Sequence, residues 1–302
     1  MKRLYMSSLR LLLIIITVSL SLASCGKKDQ QDSFSFAFIT DIHLQYELNA
    51  VQGFQKAIDT INYLKPDFVI TGGDLVMDAL GQRYGMADSL NNLYQETAKA
   101  FKMPVHNTMG NHDIYGIYSR SGADPENPEF GEKMFEKRFG KSYYSFDYKG
   151  WKFMILNSIE DTGRDKYIGL IDAKQIEWIK EELQKTDPET PIVISTHIPF
   201  ITAFTQKYIG NIIANDSSRV INNGKDVIDL FNGYNLKLVL QGHLHTEEDI
   251  FIDGVHFITG GSICAGWWRG PRMGFEEGFL MIDVKGNEFK WRFVDYNWPA
   301  GE

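Results

Sequence analysis

Short apolar runs alternate with amphipathic stretches along much of this chain. Phe34–Thr40 (FSFAFIT) predicts a strand, and Val51, Phe54, Ile58 and Ile61 then fall three, four and three apart. That spacing is one stripe of an amphipathic helix, which Pro66 ends. Phe68–Thr71 predicts a short buried strand running into Gly72-Gly73-Asp74, residues 86–101 a helix, and Val105–Met109 a strand leading into Gly110-Asn111-His112. The second half is more antiparallel: Tyr143–Tyr148 and Trp151–Asn157 flank Lys149-Gly150 as a hairpin. Asp172 predicts a helix N-cap with Gln175 as its capping-box partner, the helix ending near Leu183. Ile192–Ser195 and Lys237–Leu240 predict buried strands, Phe251–Val255 and Phe257–Thr259 short ones, and Phe279–Val284 with Glu288–Val294 a closing hairpin around Gly286-Asn287. The simplest home for this order is an α/β fold, with two mixed β-sheets packed face to face and helices outside.

The first residues do not belong to that pattern. Lys2, Arg3 and Arg10 precede an apolar run, Leu11–Leu22, that is too short to span a bilayer, and Leu22-Ala23-Ser24-Cys25 places small residues before a cysteine. Residues 1–25 thus predict a signal peptide whose ending resembles the lipobox of bacterial lipoproteins, with Cys25 carrying the lipid. Residues 26–33 (GKKDQQDS) read as a polar tether reaching about 26–29 Å when extended. The expectation is an exported protein held on a membrane of a bacterial cell envelope by acyl chains. Residues 34–302 hold no linker, repeat or charge block and predict a single domain. The two cysteines are Cys25 and Cys264, so a lipidated Cys25 leaves no intrachain disulfide.

Without residues 1–24 the chain loses Lys2, Arg3 and Arg10 and no acidic residue, taking the net charge from −8 to −11. Broad binding to a nucleic acid polymer needs a basic surface and is not expected. An anionic substrate has to be drawn in by local charge.

The local chemistry is concentrated. Five of the seven histidines lie in the blocks Asp41-Ile42-His43, Gly110-Asn111-His112-Asp113, Thr196-His197 and Gly242-His243-Leu244-His245, joined by Gly73-Asp74. The blocks follow predicted strands, at the ends where open α/β sheets hold ligands. Carboxylate oxygen and imidazole nitrogen suit Mn, Fe and Zn, and a glycine ahead of a ligand permits a sharp turn. An extended Gly-His-x-His segment would send both imidazoles to one side. Together the blocks describe a site for two divalent transition metals. His106 and His256 fall outside every block and read as structural.

In order and spelling the blocks resemble the calcineurin-like metallophosphoesterase superfamily, whose signature runs D-x-H, G-D, G-N-H-[DE], H, G-H-x-H. The resemblance covers roughly residues 36–246. It implies that Asp41, His43 and His245 hold one metal, that Asn111, His197 and His243 hold the other, and that Asp74 bridges them. It also implies that His112 faces the leaving oxygen of a phosphoester, with Asp113 orienting its ring, while a bridging hydroxide attacks phosphorus in line. Purple acid phosphatases of that superfamily carry a tyrosinate ligand three positions after the Gly-Asp aspartate. Here that position is Met77, which argues against a purple Fe(III) site.

Three long connections, Tyr115–Phe130, Pro199–Asn223 and Gly261–Gly278, are candidate lids or binding walls. The last contains Trp267, Trp268, Arg269 and Arg272, residue types that stack on a base or sugar and clamp a phosphate. Three functional readings stay open: a hydrolase of small phosphodiesters or phosphomonoesters, a hydrolase of membrane-lipid phosphates or pyrophosphates, and a non-catalytic lipoprotein that binds metal or a phosphorylated ligand. Retention of His112 and Asp113 counts against the last.

Overall fold

Phe34, Phe36 and Phe38 face one side of strand β1 (Ser33–Ile39), and Ala37 and Ile39 face the other; both sides are buried. A strand covered on both faces needs a near-continuous apolar run, which is how its sequence reads. The computed structural model describes residues 33–163 and 165–299. The expected signal peptide with Cys25, and tether residues 26–32, lie outside them.

Helix α1 (Ala50–Leu64) follows β1, then β2 (Phe68–Thr71), α2 (Tyr84–Ala98) and β3 (Val105–His106). α3 (Lys133–Phe139) precedes the hairpin β4 (Tyr144–Tyr148) and β5 (Trp151–Ile155). A small pair, β6 (Ile159–Asp161) and β7 (Tyr167–Gly169), leads to α4 (Ala173–Gln184) and β8 (Ile192–Ser195). After α5 (Phe204–Tyr208) and α6 (Gly224–Ile228) come β9 (Leu236–Gln241), β10 (Glu248–Ile252), β11 (Val255–Thr259), β12 (Gly278–Lys285) and β13 (Glu288–Asp295).

One sheet runs β13-β12-β1-β2-β3 and the other β10-β11-β9-β8-β5-β4. The second is parallel at its centre, where β5, β8, β9 and β11 pair, and antiparallel at both edges. Between the sheets lies an aromatic core in which Phe36 stacks on Phe68 with centroids 5.1 Å apart and meets Phe153 edge-on at 5.5 Å. The other faces, through Ala37, Ile39, Val69, Met154, Ile192 and Ile194, are buried with apolar residues of α1, α2 and α4. This is the expected layering of two mixed sheets flanked by helices. No helix among the described residues is long and apolar enough to cross a membrane.

Three local expectations are corrected. β3 stops at His106 because the Thr108 N–H donates to Thr71 Oγ1 (3.0 Å) and Asn107 Oδ1 accepts from Tyr94 (2.8 Å), so side chains replace the ladder. β10 lies three residues earlier than expected and β11 begins two residues earlier, and they meet at Asp253-Gly254, both left-handed (φ 51° and 86°), the pair that a two-residue hairpin turn favours. Asp172 does cap α4, accepting from the Gln175 N–H at 2.7 Å, but the Gln175 amide does not return the bond. It accepts from the Asn157 N–H (2.9 Å) and donates to the Asn157 carbonyl (2.7 Å), fastening the helix to the end of β5.

Candidate metal centre

The ligands themselves make the sharp turns. Asp41, His43, Asp74, His243 and His245 all have positive φ, between 44° and 73°. Such backbone is costly for residues other than glycine and clusters at functional sites. Gly110 is extended (φ −105°), so a turn is not its purpose; a Cβ there would stand 2.1 Å from the Asp74 nitrogen and 2.2 Å from its Oδ1. Its role is room. The Gly-His-x-His segment is likewise bent rather than extended, and it presents Nδ1 of His243 but Nε2 of His245.

Asp74 Oδ2 is the hinge of the site. It lies 3.4 Å from His43 Nε2 and 3.3 Å from His197 Nε2. On one side His43 Nε2 is 3.1 Å from His245 Nε2, which is 3.3 Å from Asp41 Oδ1. On the other His197 Nε2 is 3.0 Å from Asn111 Oδ1 and 3.2 Å from His243 Nδ1. All the expected ligands therefore converge as two groups sharing one carboxylate.

The outer partners fix what each donor offers. His197 Nδ1–H donates to the Gly72 carbonyl (2.8 Å) and His245 Nδ1–H to the Ala265 carbonyl (2.6 Å), leaving both Nε2 lone pairs aimed inward. Asp41 accepts from Thr40 and from the His243 N–H, and Asp74 Oδ1 accepts from the His112 N–H (2.8 Å). Nitrogen and oxygen donors thus crowd one another with too few protons to pair them all. Burial pushes His43 well below its ordinary value and His243 down to about 3, keeping both neutral. Burial also works against the imidazolium of His197, but Asp74 and Asp41 outweigh it and carry that ring up to about 9. Displacing such protons is what a bound cation does, so this donor set fits a pair of divalent metals.

His112 lines the pocket, its ring 4.6 Å from that of His43 and its Nδ1 on the Met77 carbonyl at 2.5 Å. The expected link to Asp113 is corrected. Asp113 is buried and accepts from the backbone N–H groups of Leu75, Val76 and Gly110, so its carboxylate ties the Asp74 turn to the Gly110 turn. Burial and the charge of Asp74 push it up to about 8 against those donors.

A cavity of about 240 Å³ opens over the ligands, lined also by Tyr167, Phe204, Arg219, Trp267 and Arg272. Of the expected contacts, Trp267 and Arg272 reach it, with the Arg272 guanidinium 4.7 Å over the Trp267 ring. Arg269 is exposed and lies away from it. Trp268 is buried, its indole N–H donating to the carbonyls of Ile42 and His43 (3.1 Å each), so it props the ligand loop. The connection 115–130 does not reach the cavity; Glu129, Tyr84, Lys137 and Arg138 pin its end. Phe204 and Arg219 fall inside the expected wall 199–223, whereas Tyr167, on the small β6–β7 pair, had no signal in the sequence. His106 stacks on Phe146 and His256 binds Asp249, both structural as expected. A larger cavity of about 490 Å³ near Phe200, Ile228, Phe231 and Phe257 contains none of the ligands.

Fold and donor set together are those of a metal-dependent hydrolase. The calcineurin-like phosphoesterase profile matches residues 34–247, and the chain belongs to that family. It is a metal-dependent phosphoesterase. A 3′,5′-cyclic-nucleotide phosphodiesterase of Nostoc sp. is 27% identical over 240 residues, 76% of this chain and 78% of that protein. Among solved structures, a dimetal phosphatase of Danio rerio is similar with a TM-score of 0.59 and 14% identity, over 87% of this chain and 99% of that one. The protein GAP50 of Plasmodium, described as the anchor in the inner membrane complex, is similar with a TM-score of 0.53 and 14% identity, over 88% and 85%.

Proposed function

We propose that this protein hydrolyses small phosphodiesters. The observation that carries the reading is the convergence of both donor groups on Asp74 Oδ2 beneath a cavity that His112 faces. Asp41, His43, His245 and Asp74 would hold one cation, and Asn111, His197, His243 and Asp74 the other. Two such ions, Mn, Fe or Zn, supply Lewis acidity and a hydroxide nucleophile near neutral pH. Asn111, a neutral oxygen donor, limits the negative charge that an arriving phosphate meets. His112, with Nδ1–H committed to Met77, would as imidazolium present Nε2–H to the leaving oxygen and pass it that proton as the P–O bond breaks, ending as the neutral ring. The Nostoc relative supports a diester over a monoester.

The test is activity and metal content together. The purified protein, loaded separately with Mn, Zn or Fe(II), is assayed on bis-p-nitrophenyl phosphate, p-nitrophenyl phosphate, a 3′,5′-cyclic nucleotide and a lipid pyrophosphate. His112→Ala is expected to lower kcat by about 10²–10⁴-fold with two metals retained. Surviving activity would remove His112 as the acid, and hydrolysis of the monoester alone would remove the diesterase assignment.

A lipid substrate is the second reading, favoured by exposed Ile209, Ile212 and Ile213 on the loop after α5, whose Phe204 lines the cavity. We also propose export and attachment through a lipidated Cys25, on the sequence of residues 1–25. Labelled palmitate should enter the wild-type protein in a lipoprotein-processing host and not Cys25→Ser; equal labelling of both would exclude that anchor.

A further inference from the structure

The rim of the metal cavity carries two arginines and, apart from Asp74 at its floor, no carboxylate. Arg272 leans on Trp267 at 4.7 Å, and Arg219 on Phe204 at 5.6 Å. Among the described residues neither guanidinium makes an ion pair or a side-chain hydrogen bond. Asp216 feels the charge of Arg219 without touching it, and Asp41 that of Arg272, but Asp41 is committed to the metal site. Burial pulls Arg272 below its ordinary value; the charge of Asp41 opposes that shift and the charge of Arg219 adds a smaller push in the same direction. Two like charges facing one cavity, both half-buried, are unfavourable unless an anion sits between them.

Both are also held in place before any ligand arrives. Arg272 and Phe275 exchange backbone hydrogen bonds of 2.9 Å across Met273-Gly274, whose φ values are 53° and 89°. The Arg219 N–H donates to the Asp216 carbonyl (2.9 Å), and two residues on Ile221 donates to the Pro199 carbonyl (2.9 Å). A guanidinium stacked on an aromatic ring loses little freedom when it takes a planar oxyanion. Two cations held by the donor groups would satisfy the charge of the scissile phosphate.

Resting on the phosphodiester reading above, we propose that Arg219 and Arg272 bind a second anionic group of the substrate, a phosphate or carboxylate carried beyond the scissile phosphorus. A substrate charged only at its scissile diester leaves both guanidinium groups unanswered. Trp267 and Phe204 form apolar walls on which the carbon framework between the two anions lies.

Three p-nitrophenyl phosphodiesters test this, those of ethanol, of 3-hydroxypropanoate and of 2-phosphoethanol. All share the scissile bond and the leaving group and differ only in the second charge. The wild-type protein should prefer the phosphate- or the carboxylate-bearing ester over the ethyl ester at least tenfold in kcat/KM, and the better of the two identifies the group. In Arg219→Gln and Arg272→Gln that preference should fall toward one, with Arg272→Lys restoring part of it and metal content staying at two. A preference for the ethyl ester, or one untouched by both substitutions, overturns the subsite. Were none of the esters hydrolysed under any metal, the phosphodiester reading falls separately, and equilibrium binding of the same esters to wild type and variants decides the subsite.

Discussion

The floor and the rim of the metal cavity are built by different means. Each floor ligand lies a few residues beyond a buried strand or the turn that follows it: Asp41 and His43 after β1, Asp74 after β2, Asn111 after the β3 segment, His197 after β8, His243 and His245 after β9. Sheet pairing fixes where those strands end, and carboxylate Asp113 laces two of the turns together. The rim residues Phe204, Arg219, Trp267 and Arg272 sit on long connections, and Tyr167 on a two-stranded outlier. Position is inherited from the sheet at the floor and has to be made locally at the rim. The floor should therefore fail as a unit when one shared atom is removed, and the rim residue by residue.

The largest effect should come from Asp74. Among the described residues it is the one carboxylate whose oxygen lies against ring nitrogens of both groups, so Asp74→Ala would deprive both cations at once. A fall in kcat/KM of about 10⁴-fold or more, about 5.5 kcal/mol, is expected, with metal content dropping below two per chain. Elemental analysis beside the assay checks it. Two tightly held metals in the variant would mean that the donor groups are independent and that the floor does not act as a unit.

This contrast explains what could be read in the sequence. Short-range spelling carried the floor: a ligand within five residues of a strand end has little choice of position, so Asp41, His43, Asp74, Asn111, His197, His243 and His245 were legible together. Their conformation was not, because a glycine ahead of a ligand suggests that the glycine makes the turn: Gly73 does so (φ 92°), but Asp41, His43, Asp74, His243 and His245 adopt positive φ themselves and Gly110 only makes room. Asp113 beside His112 suggested a ring partner, yet the backbone N–H groups of Leu75 and Val76 in a distant turn, and of Gly110 in its own, claim that carboxylate. At the rim, composition marked residues 261–278, and residue type could not separate Trp267, which faces the cavity, from Trp268, which faces the protein. Which of two adjacent tryptophans points inward depends on loop backbone, at φ 56° and 67°, that no periodicity encodes.

Trp268 sharpens the comparison, since it belongs to the rim loop in sequence and to the floor in space. Its ring fills the space over Gly53 of α1 and meets Trp298 edge-on at 6.3 Å. Trp268→Ala should cost about 3–5 kcal/mol in chemical unfolding and weaken metal retention through the freed Ile42 and His43 carbonyls. Gly53→Ala approaches the same contact from the helix side. A Cβ there would stand 2.3 Å from the Trp268 ring, so a substitution that ordinarily strengthens a helix should weaken this one. A loss below about 1 kcal/mol in Trp268→Ala would return the residue to the rim, free to contact substrate.

The smallest effect expected lies at Glu129, outside both regions, where the connection 115–130 is fastened. Glu129 accepts from Tyr84 (3.0 Å), Lys137 and Arg138 (2.6 Å), and Arg138 also pairs with Asp88. Burial opposes the carboxylate, but the hydrogen bonds from Lys137, Arg138 and Tyr84 hold it down at about 2. A carboxyl held below its unfolded value stabilises the fold above that unfolded value and loses the contribution as pH falls through the folded one. Glu129→Gln should thus cost about 1–3 kcal/mol at pH 7. The difference from wild type should shrink below about pH 4.5 and vanish near pH 2, because protonated Glu129 and glutamine then present nearly the same group. Phosphodiester turnover at neutral pH should change little, since this connection does not reach the cavity. A large fall in kcat with stability intact would instead make residues 115–130 a working lid, and the division between a sheet-built floor and a locally built rim would need a third, moving part.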